Sequence, residues 1–167
     1  MQFVVINEIW EWLQDLGANP GTDTWKPQIH ELVHRRRVSY EQGTEKVGLE
    51  LVLATQSVSA ATEWDEAILW ITGWDIYPNH EDWPAYYALR AMSGEQRSIE
   101  TAPGHKFERT ERVVLECFLA RTMQNGWDAY LIFSTRGIGV TTVVRTSHHQ
   151  WVEIQRDEPI AHEPFAA

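Results

Sequence analysis

Two histidines set four apart around a glutamate, in His30-Glu31-Leu32-Val33-His34, form a pattern whose chemistry can be written from spacing alone. On a helix, residues four apart share a face, so both imidazoles can hold one Zn²⁺ while Glu31 activates the water bound to it. Such a centre needs a third ligand. No further histidine follows at a suitable spacing, so a carboxylate must supply it, and Glu50 and Glu63 are the candidates. The chemistry would be hydrolysis.

The pentapeptide resembles the motif of the zinc peptidases, which implies zinc as cofactor, His30 and His34 as ligands and Glu31 as general base. Arg35, Arg36 and Arg37 follow at once, where that family's motif helix is usually uncharged, so an exposed helical histidine pair is the competing reading.

A second set of chemistry-bearing residues falls at expected strand ends. Ligands of open α/β sheets bind beyond the carboxyl ends of parallel strands. Those ends deliver Trp74, Asp75 and Tyr77, then Glu100 and His105, then Ser134, Thr135 and Arg136. That is a polar rim with acid, base and cation, to be weighed against ordinary turn and cap residues. No glycine-rich phosphate loop accompanies it, since neither Pro103-Gly104-His105 nor Gly137-Ile138-Gly139 has the required spacing. Ser147, His148 and His149 are adjacent, and neighbours on a helix or strand do not face one another.

Composition narrows the classes of function. The net charge of −10 opposes binding to a phosphate backbone, so no nucleic-acid partner is expected and a protein with a basic surface is. Cys117 is the only cysteine, which excludes an internal disulfide; its apolar neighbours predict a buried, inert thiol. Nine tryptophans exceed ordinary usage, and two or three of them are expected to serve as contact platforms rather than core. The N-terminal residues carry no secretory pattern and no stretch reaches about 18 apolar residues, so no membrane partner and a cytoplasmic location are expected.

The elements that must position these residues follow from periodicity. Residues 3–16 form a helix closed by Gly17, and a second helix starts at Pro27 with Ile29, Leu32, Val33, Arg36 and Tyr40 at helical spacing. Residues 44–58 fit helix or strand, and their Glu, Lys, Leu and Ala content favours helix. Residues 67–72 are an apolar run of strand type, 82–92 a helix, 97–100 a short strand and 106–124 a helix with Phe107, Val114, Leu115 and Phe118 on one side. Strands follow at 127–133 and 140–145, and Ser147 caps a last short helix containing Trp151, Val152 and Ile154.

The expected architecture is therefore one α/β (or α+β) domain over 1–167. A helical region to residue 60 precedes a β-α-β-α-β-β region over 64–156, which forms a small, mostly parallel or mixed sheet packed by helices, and a frayed tail over 157–167. The leading functional expectation is a non-catalytic, acidic protein-interaction domain without cofactor, of the inhibitor, immunity or adaptor kind known from bacteria. The alternative is the zinc hydrolase, with residues 30–34 at its centre.

Overall fold

The chain opens with a short strand, β1 (Gln2–Val4), and turns directly into helix α1 (Ile6–Asp15). Glu8 explains the tight entry: its carboxylate accepts the Val5 N–H at 2.8 Å, satisfying a donor the first turn would otherwise leave open. Ile9 and Leu13, four apart, are fully buried, and the helix ends at Gly17 with φ +77°, the left-handed conformation that favours glycine. The computed structural model describes residues 1–18, 21, 32–40, 47–61, 63–74 and 83–158.

The remaining elements are strand β2 (His34–Ser39), helix α2 (Val47–Ala60), strand β3 (Glu66–Gly73), helix α3 (Trp83–Met92), strand β4 (Gly104–Glu108), helix α4 (Arg112–Gln124), and strands β5 (Asp128–Thr135), β6 (Gly139–Ser147) and β7 (Trp151–Arg156). A 3-10 turn, Arg109–Glu111, leads into α4. The strands form one seven-stranded sheet in the order β1-β4-β3-β5-β6-β7-β2, and every pairing is antiparallel. The architecture is α+β.

The mostly parallel sheet expected from alternating strands and helices is thus corrected. The connection from β3 to β4 leaves after Gly73 and returns at Gly104, which lies opposite Trp70, so it begins and ends at the same end of the sheet. A helix crossing once would give a parallel neighbour; here α3 is followed by a long strap, residues 93–103, that brings the chain back.

β3 is buried along both faces, as its apolar run requires. Ala67, Leu69 and Ile71 face a core shared with Leu53 and Val58 of α2, Tyr86 of α3 and Leu115, Phe118 and Met123 of α4. Ile68 and Trp70 face the other way, against Ile9 and Leu13 of α1. Trp64, Trp70 and Trp127 lie wholly in the interior.

Several local expectations are overturned. The helix from Pro27 to Tyr40 does not run through His34–Ser39, which form β2 with alternating half-buried and exposed residues. The last short helix is β7, with Val152 and Ile154 inward, because pairing with β6 and β2 outweighs a pattern that also fits helical spacing. Residues 104–108 are a strand rather than the start of a helix, and 97–100 form a turn. Cys117 is exposed on α4, and Val114 is 38% exposed there. The first 60 residues are only partly helical, since β1 and β2 form the two outer strands of the same sheet. The tail from residue 159 lies outside the described residues.

Candidate functional site

An antiparallel sheet has carboxyl ends at both of its ends, so the expected rim is divided. Trp74 and Glu100 do come together, lining a pocket of about 200 Å³ with Ile6, Thr72 and Pro103. It exists because the ladder between β3 and β4 stops there: Ile71 N–H donates to the Pro103 carbonyl at 3.1 Å, and a proline has no N–H to return the second bond. Arg136 lies at the far end, after β5, with its N–H donating to Asp65 Oδ2 at 2.7 Å. Ser134 and Thr135 are near it, donating to the carbonyls of Glu66 and Glu63. Asp75 and Tyr77 lie outside the described residues.

His105 belongs to no rim, because it is completely buried on β4. Its Nδ1 lies 3.2 Å from the Leu69 carbonyl and must carry the proton, so Nε2 accepts from Tyr86 Oη at 2.8 Å. Arg90, equally buried, donates to Tyr86 Oη at 3.0 Å and to the carbonyls of Ala102, Arg97 and Ser98 at 3.1, 3.1 and 3.3 Å. Burial, then the charge of Arg90, pushes His105 down to about 3, so the ring is neutral at ordinary pH. The cluster fastens the 93–103 strap to α3 and β4. Two residues from the strap's start, Glu95 binds Arg97, whose hydrogen bonds hold that carboxyl down at about 2 against the effect of burial.

The five-residue histidine pattern is divided differently. His30 and Glu31 lie outside the described residues, and His34 opens strand β2 opposite Arg156. Glu50 is buried in the first turn of α2, close enough to Tyr40 to raise its phenol pKa after burial itself. Tyr40 is six residues along the strand from His34, roughly 20 Å, so Glu50 and His34 are not brought together. Glu63 neighbours Thr135, and Phe133 on β5 stands three strands from His34, roughly 14 Å across the sheet. Among the described residues, no group of three or more His, Cys, Asp or Glu is placed to hold a metal.

The turn between β6 and β7 corrects another expectation. His148 and His149 do face one another there, in a turn rather than on a helix or strand, with ring centroids 3.9 Å apart. Asp128 accepts both the backbone N–H and the ring Nδ1 of His148, at 2.9 and 3.0 Å.

Register assembles a site that sequence order hides. Val4, Gly104, Trp70, Tyr130, Arg145, Glu153 and Arg37 are successive partners across all seven strands, and so share one face. Under α1 this row is apolar; beyond it, on β6, β7 and β2, it becomes charged. Arg37 donates to Glu153 Oε2 through Nε at 3.0 Å and Nη2 at 2.6 Å, while Gln155 donates to Oε1 at 2.7 Å. Burial raises the Glu153 pKa, but those hydrogen bonds and the charges of Arg37 and Arg145 bring it below the usual value. The guanidinium of Arg37 lies 4.1 Å from the centroid of Trp151; that of Arg145 lies 5.0 Å from Tyr130 and 5.6 Å from Trp151. Glu153 Oε1 also stands 4.0 Å from the Arg145 guanidinium. The only trace of this surface in the sequence is the run Arg35-Arg36-Arg37.

Fold and surface together define an α+β protein with a seven-stranded antiparallel sheet and a basic, aromatic patch on one face of it. No family model matches the chain, and comparison with curated proteins and with solved structures gives no match. Among the described residues, no helix is long and apolar enough to cross a membrane.

Proposed function

We propose that the chain is a non-catalytic protein-interaction domain of the inhibitor, immunity or adaptor type, acting in the cytoplasm on a partner with a basic surface. One observation carries this reading. A helical stretch that is apolar all round is ordinarily buried all round, and in the first half of α2, residues 47–54, Glu50 is the one polar side chain. Its inner residues Leu53, Ala54 and Val58 are buried, but Leu51 and Val52 are 46% and 47% exposed. α4 runs beside it, Arg112 at its start donating to Ser59 near the end of α2, and adds Val113 at 70% exposure. Apolar side chains on the outside of a helical layer lose free energy to water until another surface covers them. The net charge of −10 adds long-range attraction for a basic partner.

The test is capture from the native cell with the wild-type chain and with Leu51→Glu/Val52→Glu. A saturable partner, weakened by salt and lost from the variant while its circular dichroism and melting temperature are retained, supports the reading. Equal capture by both proteins, or no saturable partner, removes it.

A further inference from the structure

The pocket of about 200 Å³ at the end of β3 has apolar walls, supplied by Ile6 at the start of α1, by Trp70 and Trp74, and by Pro103. Acceptors gather at the same end. Ile71 and Pro103 form a bonded position of the ladder, where two residues ordinarily exchange two hydrogen bonds. Ile71 N–H donates to the Pro103 carbonyl, but proline has no N–H to return, so the Ile71 carbonyl is left as an acceptor towards the strap. Thr72 spends its hydroxyl proton on the Asp128 carbonyl at 3.3 Å, which leaves its oxygen only lone pairs to offer.

The third acceptor carries the charge. Glu100 stands exposed at the mouth, on a turn in which the N–H groups of Thr101 and Ala102 donate to the Ser98 carbonyl at 3.2 and 3.0 Å. Arg90 holds the carbonyls of Arg97 and Ser98 from inside, so the turn is fastened to α3. Glu95, on the same strap, is paired with Arg97, whereas Glu100 has no ion-pair partner among the described residues. The positive start of α1 beside Ile6 is answered by Glu8, whose carboxylate accepts the Val5 N–H.

Size and chemistry together select the ligand. A cavity of about 150 Å³ is enough for benzene, so this one admits a single ring with a short arm. An apolar body belongs against the walls and a positive donor belongs among the acceptors. A primary ammonium has three N–H donors and no acceptor, and an indole beside it adds a cation–π attraction. An anionic head would meet Glu100 and be repelled.

We propose that this pocket binds a small organic ammonium, a primary amine on a short arm from a compact ring, with its head directed to Glu100 and the Ile71 carbonyl. The ring lies against Ile6, Trp70, Trp74 and Pro103. The site shares no residue with the outer faces of α2 and α4, so it and the interaction reading fail separately.

The experiment titrates the full chain at neutral pH with phenethylamine, followed by calorimetry and by the chemical shifts of the backbone amides. Controls are phenethyl alcohol, which keeps the ring without the charge, ethylamine, which keeps the charge without the ring, and hydrocinnamate, which reverses the charge. The expected result is saturable binding of phenethylamine, with shifts centred on Thr72 and Glu100. Binding should be at least tenfold weaker for the alcohol and for ethylamine, and absent for hydrocinnamate. Glu100→Gln, an exposed change that leaves the melting temperature alone, should weaken phenethylamine at least fivefold. No saturable binding overturns the proposal, as does a pocket that takes the alcohol as tightly as the amine. Undiminished binding to Glu100→Gln, or shifts centred away from Thr72 and Glu100, overturns it as well.

Discussion

Gly104 on β4 lies so close beneath Ile9 of α1 that a β-carbon on it would stand 2.7 Å from Ile9 Cδ1 and 2.5 Å from Val4 Cγ2. The absence of a side chain lets α1 sit directly on the sheet. Gly104→Ala should therefore cost about 1–3 kcal/mol through overpacking. Urea unfolding measures it, and an unchanged midpoint would show that α1 has room to move.

The buried imidazole predicts an acid dependence whose sign can be worked out. Folded His105 titrates at about 3, against about 6.5 in the unfolded chain, so below pH 6.5 the unfolded state binds a proton that the folded state refuses. Stability is full above that pH and falls as pH drops towards 3, by up to about 1.4 kcal/mol per unit. Between pH 6.5 and 5 the carboxylates contribute little. Unfolding free energies at those two values should differ in the wild type and differ less in His105→Gln; equal slopes would mean that His105 takes up its proton without unfolding.

Arg90 holds three carbonyls of the strap, and Arg90→Met removes all three bonds while leaving a side chain of similar reach. The loss should be roughly 2–4 kcal/mol, since buried acceptors are left unsatisfied. The strap should also open locally, so trypsin should cleave after Arg97 faster than in the wild type. Identical digestion patterns would place the strap's stability elsewhere.

Cys117 offers a test of how α4 is oriented. Exposed as it is, it should react stoichiometrically with a thiol reagent in native buffer, and Cys117→Ser should change stability by no more than about 0.5 kcal/mol. Reaction only after unfolding would require α4 to be rotated.

Elements with one dominant signal were legible from sequence. The buried run of β3 and the spacing of Ile9 and Leu13 in α1 admit one reading each. β2 and β7 were not legible, because Leu32, Val33 and Arg36, like Trp151, Val152 and Ile154, satisfy helical spacing as well as alternation, and only pairing with distant strands decides between them. β4 was hidden because His105 and Phe107 lead without a break into the charged start of a helix, Glu108 to Arg112. Of the expected site residues, Trp74 and Glu100 meet, while Arg136 and His105 were misplaced once the sheet proved antiparallel. The arginine row could not be read at all, since its members come from three strands and acquire meaning only through register.

The outermost position of β2 also has a consequence for the order of folding. Arg37 and Glu153 are 116 residues apart, so on a ribosome β2 emerges long before the strand it must pair with. β1 waits likewise for β4. The hairpins β5–β6 and β6–β7 close over short turns, whereas both borders of the sheet close over long loops, whose entropy must be paid before any contact rewards it. The nascent protein should hold a finished centre with raw borders, and the docking of β2 should be the late, slow event. Until then the outer side of β7 is the place where two half-made chains would stick together.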